Sequence, residues 1–315
     1  MDTRSLSIKS LLTLFDTLIL PITTYASQIW IPNTHASKAL TTHESPNHTE
    51  MINTFIKDPF EILHIKYIKW ILGLHKKASN IPCYGDIGRF PIALKTVPQN
   101  VKYFRRLEAM IVHEPNSLVG HAFLEQRELK LDWFNTWNFI SQSANTPELC
   151  KTKLTAQFKL SWSTKRMTQN KMLFYNSVKQ EFGYEPYLDI SDSRCRQALS
   201  RLRSSAHDLK VETGRYQVKG KRPPSLADKS CRVCCNNEVL KELEHLPGFE
   251  TIIEDESHVI TTCPKYHQLR SRLSNELKSH IMLHDFKYIM SEPQLVKEFG
   301  IYLHGCFKLR NPTKN

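Results

Sequence analysis

Apolar residues along this chain recur every three or four positions over long stretches and rarely alternate, a pattern that predicts helices and few strands. The first run, Leu11, Leu12, Leu14, Phe15, Leu18 and Ile19, reads as a core helix with Asp16 inside it and Pro21 interrupting it. That run is too short to cross a bilayer. Past Trp30 the period dissolves among Thr, Ser, Asn and His, so 31–58 reads as a loop insertion. Helical spacing returns with Phe60, Ile62, Leu63, Ile65, Ile68, Ile71 and Leu72, and Gly73 falls where that helix should stop. The segment NIPCYGDIGRFP, with its Pro and Gly residues, reads as a turn-rich connector. A helix is predicted from about Val97 to Val112, with Arg105 and Arg106 on its wet side. Helical stretches between 114 and 193 are separated by breaks such as Asn145-Thr146-Pro147. Gly220, Pro223 and Pro224 mark a linker, and a helix from about Pro264 to Ile281 precedes a last amphipathic stretch and a polar tail. The fold class expected is mainly α.

Charge adds a statement about partners. Across 315 residues the formal net charge is +12 and the pI about 9.3, which points to polyanions, RNA or DNA first. Hydrophobic and charged contents of 40% and 23% exclude wholesale disorder. Two segments hold most of the surplus. From His64 to Arg106 there are nine Lys or Arg against Asp86, with Tyr67, Trp70, Tyr84, Phe90, Tyr103 and Phe104 interleaved. Its candidate phosphate contacts are Lys66, Lys69, Lys76, Lys77, Arg89, Arg105 and Arg106. From Arg194 to Arg222 nine more stand against Asp208 and Glu212; the candidates there are Arg194, Arg196, Arg201, Arg203 and Arg215, with Tyr216 nearby. Cations pair with phosphates and aromatics stack on unpaired bases, so the mixture suits single-stranded or structured nucleic acid. On a helix, Arg194 and Arg201 fall on one flank of an apolar strip of Ala198, Leu199 and Leu202, and Arg196 and Arg203 on the other. The competing reading is a solvated surface helix balanced by distant acids.

The sharpest chemistry is Cys231-x2-Cys234, twenty-three residues, then His258-x4-Cys263. Three thiolates and an imidazole in two close pairs suit a tetrahedral structural Zn²⁺, whereas a disulfide framework has no use for the histidine. With every position filled by protein, no place is left for a catalytic water. Cys235 is an alternative to Cys234, and His245 and His267 to His258. The other cysteines, Cys83, Cys150, Cys195 and Cys306, are isolated and read as core. Eight cysteines are too few for a disulfide scaffold, so an intracellular chain with reduced thiols and no membrane segment is expected. Between the pairs lies an acidic stretch, Glu238 to Glu256, relieved only by Lys241, which reads as a solvated loop. Isolated acids such as Asp189 and Asp192 bring no nucleophile, base and oxyanion donor together, so no active site is expected from them.

Four blocks, in order, resemble the C-terminal region of non-LTR (LINE-type) retrotransposon reverse transcriptases. TLFDTLILPITTYASQIW is similar to the segment just beyond the polymerase core, and ILHIKYIKWILGLHKKASNIPCYGDIGRFPI to a following basic stretch. LSRLRSSAHDLKVETGRY resembles the family's basic block, and CRVC followed by EDESHVITTCPKYHQLRSRL its zinc-binding element. Gln28 stands where the family usually has an acid, and Ala26 where it has Gly. The resemblance implies a helical thumb-like segment at 1–30, the insertion at 31–58 and a basic helical region at 59–113. A helical linker region at 114–193, a basic segment at 194–224, a zinc module at 225–281 and a C-terminal helix and tail at 282–315 complete it. No Asp-Asp dipeptide occurs, so the carboxylates that hold polymerase Mg²⁺ are missing. The expectation is therefore a zinc-stabilised, nucleic-acid-binding fragment that is not an enzyme, with a polymerase region upstream in the parent element. The alternative is a zinc-containing helical module for protein contacts.

Overall fold

The computed structural model describes residues 6–30, 55–129, 132–143, 146–215, 229–231, 233–234 and 252–311. Among them the fold is mainly α, with a single isolated antiparallel bridge between Ser230 and Ile253 and no strand. The chain forms two compact units, each assembled from separated stretches. The N-unit takes Lys9–Ile68 and Cys83–Thr168; the C-unit takes Met1–Ile8, Lys69–Pro82 and Gln169–Asn315.

In the N-unit the predicted first helix is present but not in one register. Helix α1 (Ile8–Leu14) runs into a π-helical turn, Phe15–Ile19, before α2 (Leu20–Thr24) and α3 (Ser27–Trp30). Pro21 has no N–H to give to the preceding turn, and the wider turn closes instead through Leu20 N–H to the Phe15 carbonyl. The turn shifts the apolar stripe. Leu11, Phe15 and Leu20 are buried, while Leu14 and Leu18, expected in the core, are exposed. The helix from Phe60 is α4 (Pro59–Ile71), and Gly73 ends it as expected. Gly73 adopts φ 66°, with Gly73 N–H to the Trp70 carbonyl and Leu74 N–H to the Lys69 carbonyl, a Schellman closure.

The expected connector NIPCYGDIGRFP is instead helix α5 (Asn80–Ile87), wholly buried from Ile81 to Ile87. Its Pro82 sits in the first turn, where a missing N–H costs nothing, and Gly88, at φ 67°, closes the end. The breakers mark the ends of a helix, not its absence. Helix α6 (Ala93–His113) has Arg105 and Arg106 in solvent as predicted. It packs against α7 (Leu118–Glu128), α8 (Asp132–Ser143) and α9 (Pro147–Thr168), with Phe104, Phe123 and Phe134 meeting at ring-centroid distances of 5.0–5.5 Å. Along α9, Cys150, Leu154, Phe158, Ser161, Trp162 and Arg166 form one buried stripe at helical spacing.

The C-unit continues with α10 (Leu173–Val178), α11 (Ser193–Arg203) and α12 (Lys210–Thr213). Then come α13 (Glu256–Thr261), α14 (His267–Ser271), α15 (Asn275–Met282), α16 (Phe286–Ser291) and α17 (Pro293–Arg310). The single helix expected from Pro264 to Ile281 is broken at Ser274, whose hydroxyl accepts Leu277 N–H and starts α15 afresh. Helix α11 lies on α17 along Cys195, Ala198, Leu199 and Leu202, and a Cβ at Gly300 would stand 3.1 Å from Leu199 and 3.2 Å from Cys195. That glycine sets the close approach. Cys83, Cys150, Cys195 and Cys306 are all buried free thiols, as read from the sequence. No helix among the described residues is long and apolar enough to cross a membrane. Most of the 31–58 insertion, and the 220–224 linker, lie outside the described residues.

Candidate metal centre

Two backbone devices in the C-unit bring the predicted pairs together. The bridge beside Cys231 is formed by Cys231 N–H to the Ile252 carbonyl and Glu254 N–H to the Lys229 carbonyl, both 2.9 Å. Asp255 then caps α13, its carboxylate accepting His258 N–H at 2.7 Å, so the helix starts where His258 must be presented. Thr262 ends α13, and Cys263 N–H returns to the His258 carbonyl at 2.9 Å, folding Cys263 back beside the imidazole. The far end is pinned from α14 and α17. Arg270 donates to the Cys263 carbonyl at 2.6 Å, and the Tyr302 hydroxyl to the Val259 and Ile260 carbonyls at 3.2 and 3.0 Å.

The result is a group of Cys231, Cys234, His258 and Cys263 whose ligand atoms all lie within 4.8 Å of one another. Cys231 Sγ is 3.9 Å from Cys263 Sγ, and Cys234 Sγ is 3.4 Å from His258 Nε2. A tetrahedron built on zinc bond lengths has edges of about 3.8 Å between sulfurs and about 3.6 Å between sulfur and nitrogen. These two separations match such edges, and the group can hold a metal ion. His258 Nδ1 lies 2.9 Å from the Thr262 hydroxyl, a contact that orients the ring with Nε2 toward the sulfurs. Burial pushes the Cys231 thiol up, but hydrogen bonding to His258 and to the Cys234 and Val233 N–H groups outweighs it and brings the thiol down to about 7. Cys234 and Cys263 are pushed up, first by burial and then by the neighbouring sulfur charge. Three thiolates this close repel one another unless a cation sits among them.

Of the alternatives, His267 is exposed on α14 and outside the group, while Cys235 and His245 lie outside the described residues. The described end of the acidic stretch is not a solvated loop. Glu254 is buried, accepting Lys210 N–H at 2.9 Å and pairing with Arg310, and Glu256 holds His207 Nε2 at 2.9 Å. Sequence reasoning missed the positioning residues Asp255, Thr262, Arg270 and Tyr302. Asp255 was findable from its place three residues before His258, and Thr262 from its place four after it.

The predicted phosphate contacts divide into three groups. Lys66, Lys76, Lys77, Arg105, Arg106, Arg194 and Arg201 are exposed. Arg89 and Arg215 are partly buried and ion-paired, Arg89 with Asp16 and Arg215 with Glu212. Lys69, Arg196 and Arg203 are buried and correct the expectation. Lys69 Nζ donates to the Lys76 and Ala78 carbonyls at 2.9 and 2.7 Å, and Arg196 to the Ile190 carbonyl. Arg203, 0% exposed, pairs with Glu185 at 2.9 Å between the rings of Tyr175 and Tyr187. Of the interleaved aromatics, Tyr84 and Phe104 are core, Trp70 and Tyr103 are exposed, and Tyr216 lies outside the described residues.

No protein-family model, curated protein or solved structure matches this chain.

Proposed function

We propose that this protein is a zinc-stabilised nucleic-acid-binding module, of the kind implied by its resemblance to the C-terminal region of LINE-type reverse transcriptases, and that it performs no polymerisation itself. The observation that carries the reading is how the basic segments are used. Cations that face inward are matched by Glu185, backbone carbonyls or aromatic rings, while Lys66, Lys76, Lys77, Arg105, Arg106, Arg194 and Arg201 remain in solvent in a chain of net +12. The Cys3His group takes Zn²⁺ in a structural role, its thiolates and imidazole being the donor set that ion prefers. A bound ion would tie the 229–234 segment to α13 and so hold the C-unit's shape.

The test is a titration of single-stranded RNA and DNA over a salt series, with metal analysis of the same protein. One zinc per chain is expected, with affinity falling steeply as salt rises. A zinc-free, stably folded protein, or binding indifferent to salt, would refute the respective half. A second reading, a helical module for protein contacts, is favoured by a row of exposed apolar side chains, Leu14, Leu18, Ile22 and Tyr25. It predicts no oligonucleotide binding at any salt.

A further inference from the structure

We propose that a basic cavity of the C-unit, walled by α11 and α17, seats the phosphate groups of a single nucleic-acid strand. The inference rests on the nucleic-acid reading above and gives it a place. The cavity, about 720 Å³, opens between the turn at Gly73, the outer face of α11, the loop carrying His207 and Asp208, and the last turns of α17. Arg194, Arg201, Lys308 and Arg310 line it, against one carboxylate, that of Asp208.

The wall is only partly neutralised. Arg310 is committed to Glu254 and to the Asp208 carbonyl, and the Asp208 carboxylate accepts Asn311 Nδ2 at 2.8 Å. Arg194 meets Asp192 only at 3.4–3.5 Å through its guanidinium. Arg201 is anchored by Nε alone, 3.0 Å from the Gly73 carbonyl, so among the described residues its two terminal nitrogens have no partner. Lys308 has none there either. Elsewhere in the same unit the inward cations Lys69, Lys179, Arg196 and Arg203 are all bonded.

Two further observations agree. The buried His207 also lines the cavity, and with Nε2 held by Glu256 its Nδ1 has no partner among the described residues. His304, facing the same space, is lowered first by burial and then by Arg194, Lys308 and Arg201 against Asp192; His75 is lowered first by burial, then by Lys69, Lys171 and Arg201 against Asp208. Both imidazoles sit in a net positive field. The terminal nitrogens of Arg201 and the Lys308 ammonium, unmatched beside one hollow, fit an anion with several oxygens, and the fork of Arg201 fits a phosphate in particular. A single strand presents its phosphates without a paired partner, the form to which the mixture of basic and aromatic residues in the sequence already points.

The experiment uses the full chain loaded with zinc and a fluorescent single-stranded RNA homopolymer, read by anisotropy over a salt series. Arg201→Gln and Lys308→Gln are each expected to weaken binding several-fold and to flatten the log–log salt slope by about 0.7. Lys159→Gln, exposed on α9, should change neither. Because Lys308 has no described partner, its variant keeps the test sound should Arg201→Gln fold poorly. On adding the strand, the His304 imidazole signal should move and its pKa rise, as phosphate charge offsets the neighbouring cations. Cavity variants that bind like the parent while parental binding stays salt-dependent would overturn the inference and leave the nucleic-acid reading standing. Parental protein that binds no strand would refute that reading and the inference with it. Pyrophosphate that moves the His304 signal where the strand does not would make this a small-phosphate site and refute the strand.

Discussion

Arg201 and Arg203 stand two positions apart on α11, about 200° around its axis, and their surroundings are opposite. One reaches solvent and the Gly73 carbonyl; the other is sealed between two tyrosine rings with Glu185. Replacing Arg203 with Ala leaves the partly buried Glu185 carboxylate with Lys179 and opens a cavity between two tyrosine rings, and a loss of about 3 kcal/mol is expected from urea unfolding. Arg201→Ala should cost under about 1 kcal/mol, as exposed substitutions do. Equal losses would mean that the Glu185 pair contributes no more than a surface contact. The sequence showed that the four arginines of this helix fall on two flanks, and it could not show which flank faced inward. Nothing in the spacing of α11 refers to Glu185, which lies in a different segment and is brought there only by tertiary packing.

At the level of the element, the ends of helices were harder to read than their faces. The stripe of α4 and the wet face of α6 were visible because burial imposes a 3.6-residue period, but α5 was hidden by the residues that begin and end it. The broken register at Phe15–Ile19 was signalled only by Pro21, and the signal did not say which leucines would turn outward. The metal centre was legible almost completely, since four ligands in two short pairs state their chemistry without the fold. Its supports were not, because Arg270 and Tyr302 act from other helices. Asp255 joins element to site, capping the helix that carries His258. Asp255→Ala is expected to cost about 1 kcal/mol of stability and to weaken zinc binding several-fold in competition with a chromophoric chelator. Asp285→Ala, which uncaps α16 away from the centre, should cost similar stability with unchanged zinc affinity.

For the whole molecule, the two units differ in what metal can do for them. All four ligands belong to the C-unit. Chelation of zinc is therefore expected to lower the melting temperature of one calorimetric transition and leave a second, from the N-unit, near its original position. A uniform shift of all unfolding would mean that the compact units do not melt separately. Their borders cut across the segments marked by charge and periodicity, because compactness follows contacts made by residues far apart in the chain.

Residues 69–82 leave the N-unit's own sequence to join the C-unit, entering in the last turn of α4 and leaving early in α5. A ribosome releases them long before the partners they need. The N-unit has all its residues once Thr168 emerges, but Gly73 must wait for Gln197 and Arg201. Until then the turn at Gly73, between the buried Leu72 and Leu74, lacks the α11 side chains that close on it. A chain that stops short of Gln197 and Arg201 therefore cannot complete the turn at Gly73.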